Sequence, residues 1–374
     1  MANPFKKIFS NVGLLGGSSS GSVVGIDIGS SAIKIVEIKK KEGKAVLETY
    51  GAIALGPYAD LDLGRTTNLP NEKIIEALKE VLKQSSVSTT SSALSIPVQS
   101  SLIFPIELPS QVKEGDIASI IPTEARKYIP IPINEVSLDW FLLPQKEPSF
   151  EEMHSENANV MPTGKTNVLI VATQNDAVSR LRTIVSECHL DAGFFEIEIF
   201  SSVRSNFEHE LSLSLLIDFG ASRTKLSLVE FGMVKAYHTI DRGGADITDS
   251  IAKSFNVPFS EAEKMKKEFG LLSNADKNLS DIIKIHTDYV FSETNEVLLS
   301  YEKKYNRTIS KVILSGGGAV MKGLKEVAEN NFQVEVAVGH PFAKVSAPAF
   351  LEKVLLALGP EFAVAIGLAL RKLQ

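Results

Sequence analysis

Two octets decide how this chain folds: Asp27-Ile28-Gly29-Ser30-Ser31-Ala32-Ile33-Lys34 and Asp218-Phe219-Gly220-Ala221-Ser222-Arg223-Thr224-Lys225. They share Asp, Gly, Ser and Lys at the same offsets, 191 residues apart. Each follows an apolar, β-branched run (23–28 and 213–219) and leads into an alternating run (33–38 and 226–231), so each is the turn of a β-hairpin. A third strand follows each hairpin, at 45–54 and 234–240. A helical spacing of apolar residues comes next: Ile74, Ile75, Leu78, Val81 and Leu82 in the first copy, Ile247, Ile251 and Phe255 in the second. A further strand closes each copy (93–98 and 312–315). Both halves read β-β-β-α-β, which marks an internal duplication.

That order separates these turns from the Rossmann and P-loop phosphate loops, where glycines link a strand to a helix. A tight Gly/Ser bend between two strands still presents successive backbone N–H groups to an anion, and small residues allow close approach. Gly29, Ser30 and Ser31 in one hairpin and Gly220, Ala221 and Ser222 in the other are therefore the expected clamp for a polyphosphate. Asp27 and Asp218 stand at the mouths of the turns. As a pair they are expected to hold a hydrated Mg²⁺; singly, each would only cap its own turn. Lys34 is expected to reach a phosphate as a point charge, while Lys225 either does the same or is solvated. A third element, Gly316-Gly317-Gly318, follows a strand and is read as opening a helix. It is either an ordinary turn or a bare stretch of backbone against which adenine or ribose packs.

The rest of the composition narrows the field. The chain has 374 residues, 44% hydrophobic and 22% charged, an ordinary globular balance for two to three domains. With 39 basic and 45 acidic residues its net charge is −6, which gives no electrostatic reason to expect nucleic acid. Cys188 is the one cysteine, so no intramolecular disulfide forms; it falls in an amphipathic helical pattern as a buried thiol. His154, His189, His209, His238, His286 and His340 are scattered, without the spacing of a zinc site. Residues 1–22 read as a flexible tail rather than a signal peptide, with Phe5, Ile8 and Phe9 beside Lys6 and Lys7 as a weak membrane-touching alternative. The apolar runs 354–360 and 362–370, broken by Glu361, fall short of a bilayer span.

The D-x-G-S and D-x-G-x-S hairpins followed by S-G-G-G resemble the actin, Hsp70 and sugar-kinase superfamily over about residues 23–373. The resemblance implies a duplicated ribonuclease-H-like, actin-like two-lobed α/β fold that binds ATP with Mg²⁺. It makes the hairpins the phosphate motifs and Gly316 to Gly318 the adenosine motif. Gly243-Gly244-Ala245-Asp246-Ile247-Thr248 is similar to the helix start that follows the second phosphate hairpin. Glu198 sits where relatives orient the attacking water, unless it is the exposed face of an alternating strand. Glu263 and Lys266 lie where relatives contact adenine and ribose, unless they are a solvated charged face. Gly367 resembles the small residue of the second crossing helix.

Between the halves stands a strand (102–108), a helix (116–128), two strands (136–143 and 168–173) and a helix (176–190), an inserted small α+β subdomain with a polar loop at 145–166. Such an insertion is similar to that of the FtsA and PilM families. Pro122-Thr123-Glu124-Ala125-Arg126-Lys127-Tyr128 and Asp139-Trp140-Phe141 look like PilM, and the sequence ends at Ala369-Leu370-Arg371-Lys372-Leu373-Gln374 without the FtsA amphipathic helix. The expected organisation is a tail at 1–22, a first lobe at 23–97 and 191–211 rejoined by 361–374, the insertion at 98–190, and a second lobe at 212–360. The implied function is a cytoplasmic, ATP-binding adaptor of the type IV pilus assembly platform, peripheral to the inner membrane, with slow ATP hydrolysis at most. Its implied partner is the N-terminal tail of a PilN-like membrane protein, with other platform components besides. The alternatives are an FtsA-like division ATPase and a sugar- or acetate-kinase-like phosphotransferase.

Overall fold

The computed structural model describes residues 21–109, 111–112, 114–143, 165–208, 210–272 and 277–373. Most of the tail at 1–22 and of the polar loop at 145–166 lies outside the described residues, as does His209. The chain forms two compact units, one holding residues 96–180, the other residues 21–95 and 181–373.

In the larger unit, β1 (Ser22–Ile28), β2 (Ala32–Lys41) and β3 (Lys44–Ala54) form an antiparallel meander. Helix α1 (Asn71–Gln84) follows, burying Ile74, Ala77, Leu78 and Val81, the one-face spacing the sequence predicts. Strand β4 (Ser91–Ile96) then lies parallel to β1. In the smaller unit β5 (Ser101–Pro109), β6 (Val136–Leu142) and β7 (Lys165–Gln174) make an antiparallel sheet of order β5-β7-β6. Its core joins Ile106, Leu108, Val168 and Ile170 to Ile117, Ile121 and Ala125 of α2 (Glu114–Ala125). Helix α3 (Asn175–Glu187) ends just before Cys188, so the buried thiol sits in the turn after the helix rather than within it.

Strand β8 (Asp191–Ile197) completes the first sheet in the order β3-β2-β1-β4-β8 and runs into α4 (Glu198–Asn206). The second half repeats the scheme with β9 (Ser214–Phe219), β10 (Thr224–Glu230) and β11 (Met233–Ile240). Helices α5 (Gly244–Phe255), α6 (Phe259–Phe269) and α7 (Lys277–Tyr305) follow, then β12 (Lys311–Ser315), α8 (Leu324–Phe332) and β13 (Glu335–Val338). The second sheet has the order β11-β10-β9-β12-β13, the same as the first. Each half thus has one strand more than β-β-β-α-β predicts. β13 has only four residues, too few to show a period of its own, and β8, seven residues long, joins its sheet only after the insertion.

Helix α9 (Glu352–Leu358) and a short 3₁₀ turn lead into α10 (Ala363–Leu373). The helical run Ala349–Leu373 is continuous and, by length and composition, apolar enough to cross a bilayer, contrary to the reading of two short interrupted runs. Within the fold, α10 is instead buried from Ala363 to Ala369 against β1 and α4. Two glycines permit this. A Cβ at Gly25 would meet backbone atoms of Ala365 and Ala369 at 3.0 Å, and one at Gly367 would overlap the backbone of Ser201. Beside this contact Glu196, fully buried, accepts hydrogen bonds from Arg204 at 2.6 and 2.8 Å, from Arg371 at 2.6 Å and from Ser201. Burial alone would raise its pKa, but the two guanidiniums outweigh that and hold the carboxyl below its usual range.

Candidate functional site

The two octets form equivalent hairpins whose tips meet. Residues Asp27 and Lys34 are cross-strand partners, as are Asp218 and Lys225. Gly29 N–H donates to Ala32 O at 3.0 Å, and Gly220 N–H to Arg223 O at 3.0 Å, closing the same two-residue turn in each copy. Across the gap the Ser30 hydroxyl donates to Ser222 Oγ at 3.1 Å.

Each tip is held by its carbonyls. In the first, Ser31 O accepts from Leu55 N–H and Ser30 O from Thr67 N–H, both at 2.8 Å. In the second, Gly220 O and Ala221 O accept from the first two amides of α5, Gly244 N–H and Ala245 N–H, at 2.9 Å each. This approach is what Gly243 is for: a Cβ there would meet Ala221 C at 2.6 Å and Arg223 N at 2.7 Å. Among the described residues, the amides of Ser30, Ser31, Ala221 and Ser222 find no hydrogen-bond acceptor. Four unmatched donors at two abutting tips are a ready site for an anion. No residue of either tip has positive φ, so the turns lack the alternating handedness of a nest and gain their open amides by engagement of the carbonyls instead.

Gly316 packs on the second hairpin. Its φ of +79° suits glycine, its N–H donates to Pro360 O at 2.9 Å, and a Cβ would strike the Asp218 carboxylate and Phe219 O. Gly318 N–H donates to Phe219 O at 3.1 Å, and Gly317 lies between them with Glu361 as its neighbour. The expectation that these glycines open a helix is not met: turns occupy the next residues and α8 starts only at Leu324. The GGG segment serves close packing on β9, which needs bare backbone as much as a helix start does.

The charged residues do not take the exposed places that the alternative readings gave them. Glu198 is not on a strand face; it begins α4 and is buried. Lys225 is not solvated: its Nζ lies 2.6 Å from Glu198 Oε2 and 3.4 Å from Asp218 Oδ2. Burial would lower its pKa, but the carboxylates of Glu198, Asp218 and Asp27 outweigh that and hold it above the usual lysine range. Asp27, 8% exposed, accepts a hydrogen bond from Ser95 Oγ at 2.8 Å. Lys34 is half-buried on β2 and makes no ion pair among the described residues. Glu263 and Lys266 are not a solvated face either. They pair at 2.7 Å, Thr248 Oγ1 donates to Glu263 at 2.6 Å, and Lys266 Nζ donates to Gly244 O at 2.8 Å. They brace the start of α5. Burial lowers the Lys266 pKa, with the Glu263 carboxylate opposing, and the Glu263 carboxyl is held low by Lys266 against its own burial.

One feature of the cleft has no sequence signal. The segment that supplies Leu55 and Thr67 reaches the opposite lobe, where Arg65 pairs with Asp249 of α5 at 2.9 Å and lies 4.1 Å above the Phe259 ring. Residues 60–62, Arg65 and Thr66 with Ala245, Asp249 and Phe259 line a cavity of about 630 Å³ there. The stretch is rich in Asp, Gly and Thr without periodicity, so nothing in it separates Arg65 from any exposed arginine.

Two like sheets whose first hairpins meet tip to tip define the actin-like class of two-lobed proteins. The solved structure of MreB5 of Spiroplasma citri bound to AMPPNP shares this fold, with a TM-score of 0.50 at 11% identity over 93% of this chain and 95% of that one. A PilM–PilN type IV pilus biogenesis complex superposes with a TM-score of 0.77 at 24% identity, covering 94% of this chain and 98% of that one. The family model of type IV pilus assembly protein PilM matches residues 25–373, and the chain belongs to that family. Cell division protein FtsA of Staphylococcus epidermidis is a more distant relative, 24% identical over 356 residues, 85% of this chain and 74% of that protein.

Proposed function

We propose that this chain is an ATP-binding adaptor of the type IV pilus assembly platform, acting at the cytoplasmic face of the inner membrane. The observation that carries the nucleotide reading is the pair of abutting tips, with the amides of Ser30, Ser31, Ala221 and Ser222 open and their carbonyls engaged behind them. Those amides, with Gly29 and Gly220 shaping the turns, would hold the phosphates. Gly316 to Gly318 would offer bare backbone to adenosine, and Glu263 and Lys266, beside Gly244, would stand near the ribose. The AMPPNP in MreB5, which has the same fold, supports this assignment.

The residues expected to hold Mg²⁺ do not fit it as they stand. Asp218 shares the Lys225 ammonium with Glu198, so no step of this reading runs through a metal ion. Hydrolysis needs a group that positions water, and Glu198, the residue in that place, is committed to Lys225. Slow turnover or none follows.

The partner is the cytoplasmic N-terminal tail of a PilN-like membrane protein, a reading supported by the likeness to the PilM–PilN complex. A ligand shifts a conformational equilibrium only through differential affinity, so an adaptor that senses nucleotide must bind the tail differently with and without ATP. Calorimetry of a PilN-tail peptide tests this: the affinities should differ, and equal values would remove the coupling.

A further inference from the structure

Two carboxylates pair with one ammonium in this molecule, and a third, that of Asp27, acts on it electrostatically. Glu198 comes from the start of α4, Asp218 from the end of β9 and Asp27 from the end of β1. Lys225 comes from β10, directly opposite Asp218 in the ladder. The side chains of Lys225, Glu198 and Asp218 are 15%, 11% and 14% exposed, so water does little to screen them. A buried charge needs a partner, and here Glu198 and Asp218 already have one, at 2.6 and 3.4 Å. Asp27 in turn gives one oxygen to Ser95.

A small divalent ion demands several oxygen ligands at short range and tolerates no neighbouring cation in its shell. We infer that Lys225 is the resident cation of this cluster: its ammonium occupies the place between Glu198 and Asp218 that a metal ligated by them would need, and so excludes one. The inference rests on the reading of the hairpins as a nucleotide site only in its consequence, that Glu198 cannot hold a water while it holds Lys225. Residues of the chain, rather than an ion, set the charge at the phosphate end of the cleft.

The test uses the full chain without nucleotide and Mn²⁺ alone as the probe, with free Mn²⁺ followed by electron paramagnetic resonance. The wild type should show no saturable site below about 1 mM. Lys225→Met should acquire one, at least about tenfold tighter than anything in the wild type, because it leaves two adjacent buried carboxylates without a cation. Adding Asp218→Asn to Lys225→Met should abolish it. Lys225→Gln is the second variant should Lys225→Met fail to fold, as judged by circular dichroism. A wild-type site that Asp218→Asn removes would overturn the inference with no lysine variant needed; so would a folded Lys225→Met or Lys225→Gln that gains no site. Binding of a fluorescent ATP analogue to the wild type is measured separately. Its absence would refute the nucleotide reading and leave the Mn²⁺ result standing.

Discussion

Replacing Gly243 by alanine should uncouple α5 from the second hairpin. The new methyl group would stand 2.6 Å from Ala221 C and 2.7 Å from Arg223 N, about 1 Å inside ordinary contact. These are backbone atoms and cannot rotate away, so the start of α5 must retreat. A retreat of about 1 Å takes the two 2.9 Å bonds from Gly244 and Ala245 to the tip carbonyls beyond hydrogen-bonding range. At about 0.5–1.5 kcal/mol net for each bond, the loss is about 1–3 kcal/mol. The same loss frees the carbonyls that keep the Ala221 and Ser222 amides open, and affinity for ATP should fall by about tenfold to a hundredfold. Equilibrium binding of a fluorescent ATP analogue, paired with thermal unfolding, measures both effects. Gly244→Ala is the control, since its Cβ would meet Lys266 Nζ at 3.4 Å and Gly220 O at 3.7 Å and should be nearly silent. Wild-type affinity and melting temperature in Gly243→Ala, or equal losses in both variants, would refute the steric argument.

Glu196→Gln should destabilise the protein by about 3–5 kcal/mol near neutral pH, because it leaves the buried guanidiniums of Arg204 and Arg371 without a counter-charge. Since the Glu196 pKa is lowered by folding, its stabilisation is present above the unfolded carboxyl pKa of about 4.3 and is lost as pH falls through the lower folded value. Urea denaturation of the two proteins should therefore converge in acid, and a difference that persists unchanged there would show that packing rather than charge is at stake. For the Arg65–Asp249 pair, both side chains are more than a third exposed. A double-mutant cycle with Arg65→Ala and Asp249→Ala should give a coupling of about 0.2–1 kcal/mol that shrinks in high salt; a salt-insensitive coupling would mean the pair is desolvated.

What the amino-acid sequence determined by itself is everything that repeats or alternates locally. The two octets, the meanders around them and the one-sided helix α1 follow from periods of two and 3.6 residues, and a two-residue turn is enough to set Asp27 opposite Lys34 and Asp218 opposite Lys225. That is why the duplication was legible; the fold class and the family came from the resemblance of the hairpin motifs, the insertion and its Pro122–Tyr128 and Asp139–Phe141 segments to known families. The alternatives that left Glu198, Lys225, Glu263 and Lys266 as exposed charges failed for one common reason: a polar residue in an amphipathic pattern looks solvated until its partner is known. Those partners lie far along the chain, as with Glu198 and Lys225 or Glu196 and Arg371, or on another element, as with Thr248 beside Glu263 and Gly244 beside Lys266. Nor could any pattern show that Ser30 touches Ser222 or that Arg65 reaches Asp249. Such contacts depend on how two separately specified sheets close on each other, and only the tertiary structure decides that, because burial and charge pairing are properties of the packed whole rather than of any segment.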